Sequence, residues 1–545
     1  MTRSSNRRCR APRTAAVALG TLLLGACAAG PDYRGPPQVD TGSGWTQPAA
    51  AAQAPAGLSN WWTTLGDPTL DRLVATALAD NLDLLQAQAR IAEERALRDR
   101  AAGGYAPSVG VSGSVTRRRQ SENGPLPIGA IPGLARDQTI HDAGFDAGWE
   151  IDLFGRTRRA VQGAEARMQA AQDDAAGVRV SIAAEVARSY LDLRGAQREL
   201  AARAASVQAL AQTADLVGRR LRAGDAAQAD VDAAQARLGA AAASLPAIQA
   251  RARAAALGLG VLLGAPPERE LALLDTTAAQ ITLLPIPVGQ RADIMRRRPD
   301  VRAAERRLAA RSADIGVATA ELFPKLSIGA SGGFQALDAG QLFESASQRF
   351  SVMPLISWRV FDGGRVRAEI RASEAREQQA ALAYEKAVLT ALGDAERALG
   401  NYQLGLDAVQ RQQAALDAAR RSYAHAQARY AAGDIALADL LAEERVLRDA
   451  EDGYARMHTA TAIDLVALYK ALGGGWNADD ARSDDAGGSQ HRHDAAGRPV
   501  DERLPRRPTT ARDTARQTGV SSTPPCRAPC RTCTRHCLTS SGSMG

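Results

Sequence analysis

The chain has 545 residues and a net charge of +7, and it is 45% apolar but only 4% aromatic. That length would fill three or four ordinary domains, yet so few large rings cannot supply that many packed cores. The charge is modest and the arginines are interleaved with acids, so nothing points to nucleic-acid binding.

The chain opens with Arg3, Arg7, Arg8, Arg10 and Arg13, followed by an apolar run from Ala15 to Ala26. At about 12 residues the run is too short to cross a ~30 Å hydrocarbon core as a helix. A basic flank, a short apolar stretch and small residues at its end read as an export signal. The run closes Leu24-Gly25-Ala26-Cys27, which resembles the bacterial lipobox. That resemblance implies that Cys27 is lipidated and becomes the first mature residue, and several acyl chains on one cysteine anchor stably. Residue 28 is Ala and not Asp, which by the lipoprotein sorting pattern implies the outer membrane. No cysteine lies between residues 28 and 525, so the body is expected to fold without a disulfide although the compartment permits one.

The body repeats itself. Trp149-Glu150-Ile151-Asp152-Leu153-Phe154-Gly155-Arg156 is similar to Trp358-Arg359-Val360-Phe361-Asp362-Gly363-Gly364-Arg365, and the tryptophans lie 209 residues apart. Arg222-Ala223-Gly224-Asp225 is similar to Ala431-Ala432-Gly433-Asp434, with the glycines again 209 apart. Gly104-Tyr105-Ala106-Pro107 pairs with Glu321-Leu322-Phe323-Pro324 at an offset of 217, so one loop is longer in the first copy. A period this long is a duplicated half-molecule and not a solenoid.

Each copy mixes two periods. Proline is absent from Gly133 to Leu245 and from Leu355 to Arg498. Apolar residues recur at helical spacing, as in Val178, Ile182, Val186, Ala187, Tyr190, Leu191 and Leu193. Sixty-odd helical residues make a rod of about 100 Å, and the Ala, Arg, Gln, Glu and Leu bias is that of long helices. Beside the rods lie four alternating segments. Val109, Val111 and Val115 share one parity, as do Phe145, Ala147, Trp149, Ile151 and Leu153. Leu326, Ile328, Ala330 and Phe334 form a third set, and Phe350, Val352, Pro354, Ile356, Trp358 and Val360 a fourth. Apolar-out, polar-in alternation over about ten residues is the pattern of a transmembrane β-strand. An open sheet edge in lipid leaves backbone groups unpaired, and single-chain barrels begin at eight strands. Four strands must therefore be completed by other subunits, and this count alone allows a dimer, a trimer or more.

With these elements in place the chain resembles TolC-like outer-membrane efflux channels, in particular the lipoproteins that serve resistance-nodulation-division pumps. The matching stretches are Cys27 through Gly30-Pro31-Asp32-Tyr33, Trp62 to Leu73 with Asp67-Pro68, and Asn81-Leu82-Asp83-Leu84. They continue with Arg298-Pro299-Asp300-Val301-Arg302-Ala303-Ala304-Glu305, Leu322-Phe323-Pro324 and Leu468-Tyr469-Lys470-Ala471-Leu472-Gly473-Gly474-Gly475-Trp476. The resemblance implies a mainly α fold with β: long helical hairpins forming a periplasmic α-barrel, and four transmembrane strands per chain in a shared twelve-stranded trimeric β-barrel. It implies a homotrimer, a periplasmic adaptor and an inner-membrane pump as partners, outer-membrane lipid as surroundings, and no nucleic acid or cofactor. The chain then divides into a signal at 1–26, a lipid-anchored extended segment at 27–75, a first repeat at 76–285, a second at 286–476 and a disordered tail at 477–545.

The site is expected where the helices reverse. Gly224-Asp225 and Gly433-Asp434 interrupt otherwise unbroken helical patterns, and Gly takes the positive φ that a reversal needs. Both are expected at the periplasmic tips of hairpins. The stretch from Tyr430 to Asp439 resembles the constriction of TolC-like tunnels, which implies a gating role for Tyr430 and an acidic ring at Asp439, with Asp230 as its repeat mate. Ile435 and Ala442 depart from the family pattern, in which an arginine and a second aspartate can stand. Glu443 is adjacent but faces differently on a helix. An alternative for Asp439 is a solvated helix face.

Chemistry is not expected. Gly329-Ala330-Ser331-Gly332-Gly333 satisfies G-x-S-x-G, but a nucleophile elbow needs a strand-to-helix turn, and this serine sits within an alternating strand. His141, His425 and His458 are scattered. Cys526, Cys530, Cys533 and Cys537 lie beside His536 in a polar tail without periodicity, for which disorder is the default. Two classes of function stand: a passive outer-membrane exit duct for drugs or other small molecules, opened at its periplasmic tip, and a helical structural or adhesive lipoprotein without a channel. Only the first uses the four strands.

Overall fold

Two helices of equal length dominate the fold, Arg156–Ala223 and Arg365–Ala432, each of 68 residues. At 1.5 Å per residue each runs about 100 Å. The computed structural model describes residues 28–42, 44–46, 58–121, 135–277 and 281–477. The signal at 1–26, Cys27, most of the first hairpin loop and all but the first residue of the tail lie outside the described residues, as do the four tail cysteines. In chain order the elements are α1 (Pro68–Asp80), α2 (Leu82–Ala102), β1 (Ser108–Arg119), β2 (Asp137–Ile151), α3 (Arg156–Ala223), α4 (Gln228–Ala243) and α5 (Leu245–Leu262). There follow α6 (Pro299–Ala320), β3 (Lys325–Ala336), β4 (Gln348–Ser357), α7 (Arg365–Ala432) and α8 (Leu437–Ala471), with short turns of helix between.

The duplication is carried residue for residue into the helices. α3 and α7 start and end 209 residues apart, and α8 begins and ends 209 residues after the start of α4 and the end of α5. The difference is a break: the first returning limb is cut at Ser244, with Pro246 in the first turn of α5, where the missing proline N–H is tolerated. The second limb has no proline and is continuous.

α3 packs on α2, α5, α6 and α8, and α7 packs on α6 and α8. Ile182, Val186, Ala187, Tyr190, Leu191 and Leu193 of the expected apolar stripe are buried, and Val178 packs against the same cluster. Small residues let the rods approach: a Cβ on Gly195 would lie 2.4 Å from the Thr459 methyl of α8. Trp61, Trp62, Tyr190, Tyr384, Tyr402 and Tyr469 gather in the buried cluster where both repeats meet. Trp61 stacks on Tyr469 at 5.0 Å and meets Trp62 edge-on at 5.8 Å.

The resemblance motifs have local reasons. Asp67 caps α1 by accepting from the Thr69 amide at 2.9 Å, and its second oxygen accepts the Tyr190 hydroxyl at 2.6 Å. This corrects the expected extended segment at 27–75: Pro68 is the first residue of a helix, preset by its fixed φ. At the other end Gly473 and Gly475 take φ of +76° and +103°. The turn lets the Gly475 amide donate to Leu58 and the Trp476 indole donate to the Arg297 carbonyl at 2.9 Å.

The extended segment that does exist, 28–42 and 44–46, is a strap. The Ala29 amide donates to Phe154 at the end of the sheet. Gly30, at φ +82°, lies against Gly316, where a Cβ would come within 2.5 Å of backbone. Buried Arg159 donates to the carbonyls of Ala29 and Gly30 and to Asp32 at 2.7 Å. Farther on, the Trp45 indole donates to Gly289 at 2.8 Å and Thr46 to Glu396 at 2.6 Å. Arg159→Ala should free the upper strap, because three of its contacts vanish together. Limited proteolysis should then cut between residues 28 and 42 faster than in the parent protein, with the helices still protected.

His458 of α8 is buried and its Nδ1 has no partner among the described residues. Burial and the Arg198 guanidinium push its pKa down to about 4, against the usual 6.5. The unfolded chain therefore takes up this proton before the folded one, so stability is present above pH 6.5 and is lost as pH falls towards 4. His458→Gln should flatten the fall in melting temperature across that window relative to the parent protein, by the equivalent of at most about 3 kcal/mol.

Candidate functional site

The four strands form one antiparallel sheet in the order β1-β2-β3-β4. Its register puts the alternation of all four strands in phase. Val111 pairs with Phe145, which pairs with Gly332, which pairs with Phe350. Trp149 pairs with Ile328 and that with Pro354. Residues directly opposite share a face, so one face is apolar from Trp149 up past Val111 and Phe350 and turns polar, with Arg117, Arg119, Asp137, Thr139, His141 and Gln348, only towards the hairpin loops. Val111 and Phe350, on the two outer strands, are each 88% exposed, which is the outward surface of a wall set in lipid.

The other face is polar. Asp142 pairs with Arg349 at 2.7 Å and accepts from Gln335 at 2.9 Å. Ser331 and Ser351 share a hydroxyl hydrogen bond of 2.9 Å. Ser331 is thus a wall residue inside β3, and not the turn nucleophile that its motif resembles. Glycines permit the strands to approach here: a Cβ on Gly333 would lie 2.4 Å from the Ala143 carbonyl and 2.5 Å from the Gly144 Cα.

The lower end of the sheet carries the repeat's tryptophans. The Trp149 indole donates to the Tyr105 carbonyl at 2.9 Å, and the Trp358 indole donates to the Leu322 carbonyl at 3.0 Å. Each acceptor lies two residues before the proline that opens a strand. Two half-exposed rings at equivalent places make an aromatic girdle at the membrane–water boundary. Trp358 and Val360 were expected within the fourth strand, and they lie beyond its end at Ser357; Leu153 lies beyond Ile151 in the same way. Among the described residues, the outer edges of β1 and β4 pair with nothing.

The helix tips lie at the opposite ends of α3 and α7. α3 stops at Gly224, with φ +84°; its amide donates to Leu221 and that of Asp225 to Arg220. α7 stops at Gly433, with φ +82°; its amide donates to Tyr430 and that of Asp434 to Arg429. A side chain would have room at either glycine, so the left-handed backbone alone selects the residue. The next helices start alike. Asp230 accepts from the Ala227 amide at 3.1 Å and Asp439 from the Ala436 amide at 3.2 Å. Both carboxylates are exposed, and both favour the positive end of their own helix. Asp439 is therefore a helix cap as well as a surface charge. Glu443 is tied to Ser422 of α7 at 2.7 Å.

The two tips touch through a pair that the sequence did not advertise. The Arg220 guanidinium lies 5.7 Å from the centre of the Tyr430 ring, within cation–π range. The Tyr430 hydroxyl is buried and has no hydrogen-bond partner among the described residues. A cation and a ring in the last turns of two repeat-related helices was the available signal.

A sheet greasy on one side and polar on the other, with open edges and fused to 100 Å rods, defines a wall segment of an outer-membrane channel. No described helix is long and apolar enough to cross a membrane. The outer membrane efflux protein pattern matches residues 73–265 and 292–474. The pyoverdine export outer membrane protein OpmQ of Pseudomonas aeruginosa is 30% identical over 465 residues, 84% of this chain and 96% of that protein. The solved outer-membrane channel OprN superposes with a TM-score of 0.75 at 36% identity, covering 83% of this chain and all of OprN. The open-state MtrE channel of Neisseria gonorrhoeae gives 0.72 at 25% identity, covering 83% of this chain and 99% of MtrE. The chain belongs to the outer membrane efflux protein family. It is an outer-membrane exit channel that extends into the periplasm, and a channel-free adhesive lipoprotein is not favoured.

Proposed function

We propose that three copies close one twelve-stranded barrel and one helical tunnel, and that the pore works as a passive duct between a periplasmic adaptor with its pump and the outside. The in-phase sheet with two open edges carries this reading. Two copies would give eight strands, whose interior is just filled by side chains; three copies are the smallest number that leaves a bore. The chain itself performs no chemistry, and a partner supplies the energy. The tips formed by Gly224, Asp225, Gly433 and Asp434 are the moving end, with Tyr430 as part of the latch. Relatives named for pyoverdine export support small organic solutes as cargo.

Cys27 is the lipid attachment site in this reading. Ala28, the residue that follows it, lies against Gly155 at the base of the sheet. Asp439, and less strongly Asp230, line the narrow end as rings of three carboxylates that attract cations. Asp439→Asn keeps an acceptor for the Ala436 amide and removes the charge. Block by magnesium from the tip side should weaken, and unchanged block would count against a lumen-facing Asp439.

The deciding experiment is single-channel recording of purified protein in a planar bilayer, with cross-linking to count subunits. Large, stable conductance from a cross-linked trimer is expected. Silence even after the tips are opened by mutation would remove the duct reading.

A further inference from the structure

The two ends of the sheet's outward face differ in chemistry. At the inner end stand the Trp149 and Trp358 rings. Above them the face is apolar through Val109, Val111 and Val115. Beyond Val115 the same parity continues with Arg117 and Arg119. From Ser108 to Arg117 is nine residues, about 30 Å along a strand and about 23 Å along the membrane normal at a tilt of 40°. That matches the height of the apolar band of a membrane barrel, ~25 Å. The two arginines therefore stand on the lipid side at the level of the outer headgroups.

Their neighbours leave much of this charge uncompensated. Arg119 lies 3.7 Å from Asp137, and both side chains are more than half exposed. Arg117 is opposite Thr139 and makes no ion pair among the described residues. The intervening Arg118 has the other parity and donates to Gln138 at 3.2 Å. In the closed barrel β1 adjoins β4 of the next copy, whose outward residues are Gln348, Phe350, Val352, Pro354 and Ile356, without a carboxylate. Guanidinium groups held beside an apolar band suit a phosphate carried on acyl chains, since both halves of such a molecule are then matched.

We propose that Arg117 and Arg119 form a cationic collar that binds the phosphates of a phosphorylated glycolipid in the outer leaflet, one patch per subunit. The proposal rests on the barrel reading above. The test uses delipidated full-length trimer incubated with diphosphoryl lipid A or with the same lipid after enzymatic dephosphorylation, and counts bound lipid by native mass spectrometry. The parent protein should prefer the diphosphoryl form at least about fivefold, the order expected for an arginine near an anionic surface. The double variant Arg117→Gln, Arg119→Gln should lose the preference, and Arg118→Gln should keep it. Equal binding of both lipids by the parent trimer overturns the collar, as does a preference that survives the double variant. Conductance is recorded on the same samples: a trimer that conducts but shows no preference condemns the collar alone, whereas absence of trimer and conductance overturns the barrel and the collar with it.

Discussion

Gly333→Ala is expected to abolish assembly of the channel, while Gly329→Ala on the same strand and face is expected to be tolerated. At Gly333 the added methyl lands 2.4 Å from the Ala143 carbonyl oxygen and 2.5 Å from the Gly144 Cα, both backbone atoms of β2. No side-chain rotation relieves a clash with backbone, so β2 and β3 must separate at the middle of the sheet. At Gly329 the nearest atom beyond its neighbours is the Met353 carbonyl at 3.8 Å, an ordinary contact. Overpacking costs about 1–3 kcal/mol in a core that can shift, and parted ladders in lipid add several kcal/mol for each unpaired group. Heat-stable oligomer on gels and protease-protected protein in outer-membrane fractions are the readouts. Normal oligomer from Gly333→Ala would show that the strands are not this close.

Tyr430→Ala should open the tip, and Tyr430→Phe should not. The ring sits 5.7 Å beneath the Arg220 guanidinium, a contact worth about 0.5–1 kcal/mol where solvent reaches it and more where it is excluded. In the proposed trimer three copies of that contact would hold three pairs of hairpins. The hydroxyl contributes no bond among the described residues, so its removal leaves the latch intact. Single-channel conductance should rise severalfold for Tyr430→Ala, and for Arg220→Ala by the same route, and stay at the parent level for Tyr430→Phe. A larger effect from phenylalanine than from alanine would move the latch from the ring to the hydroxyl.

Much of this architecture was legible in local pattern. Period-two alternation marked four strands, and the absence of proline together with Gly224 and Gly433 marked the rods and their ends, because those signals depend on backbone geometry within a few residues. Sheet register was not legible, since Phe145 falls opposite Gly332 only through tertiary pairing. The strap was read as extended but not as docked: Arg159 is one of many arginines until the fold brings it to Asp32, 127 residues away in sequence. Asp439 shows a different limit. The resemblance of its stretch to TolC-like constrictions implied a pore ring, and the structure shows that a carboxylate at this position caps the helix that follows. The Arg220–Tyr430 pair joins two repeats, and no window along the chain contains both.

The strap also settles where mechanical load can travel. Its last contacts are Trp45 with Gly289 and Thr46 with Glu396. From Glu396 to Tyr430 α7 continues for 34 residues, about 50 Å of rod that packs on α8 beyond the described strap. A tension carried by the described strap thus enters the helices at Glu396, about 50 Å before the tips. Between that point and the tips the connection runs through the packing of α7 on α8 and not through the strap, so the proposed anchor and the proposed gate are coupled by helix packing.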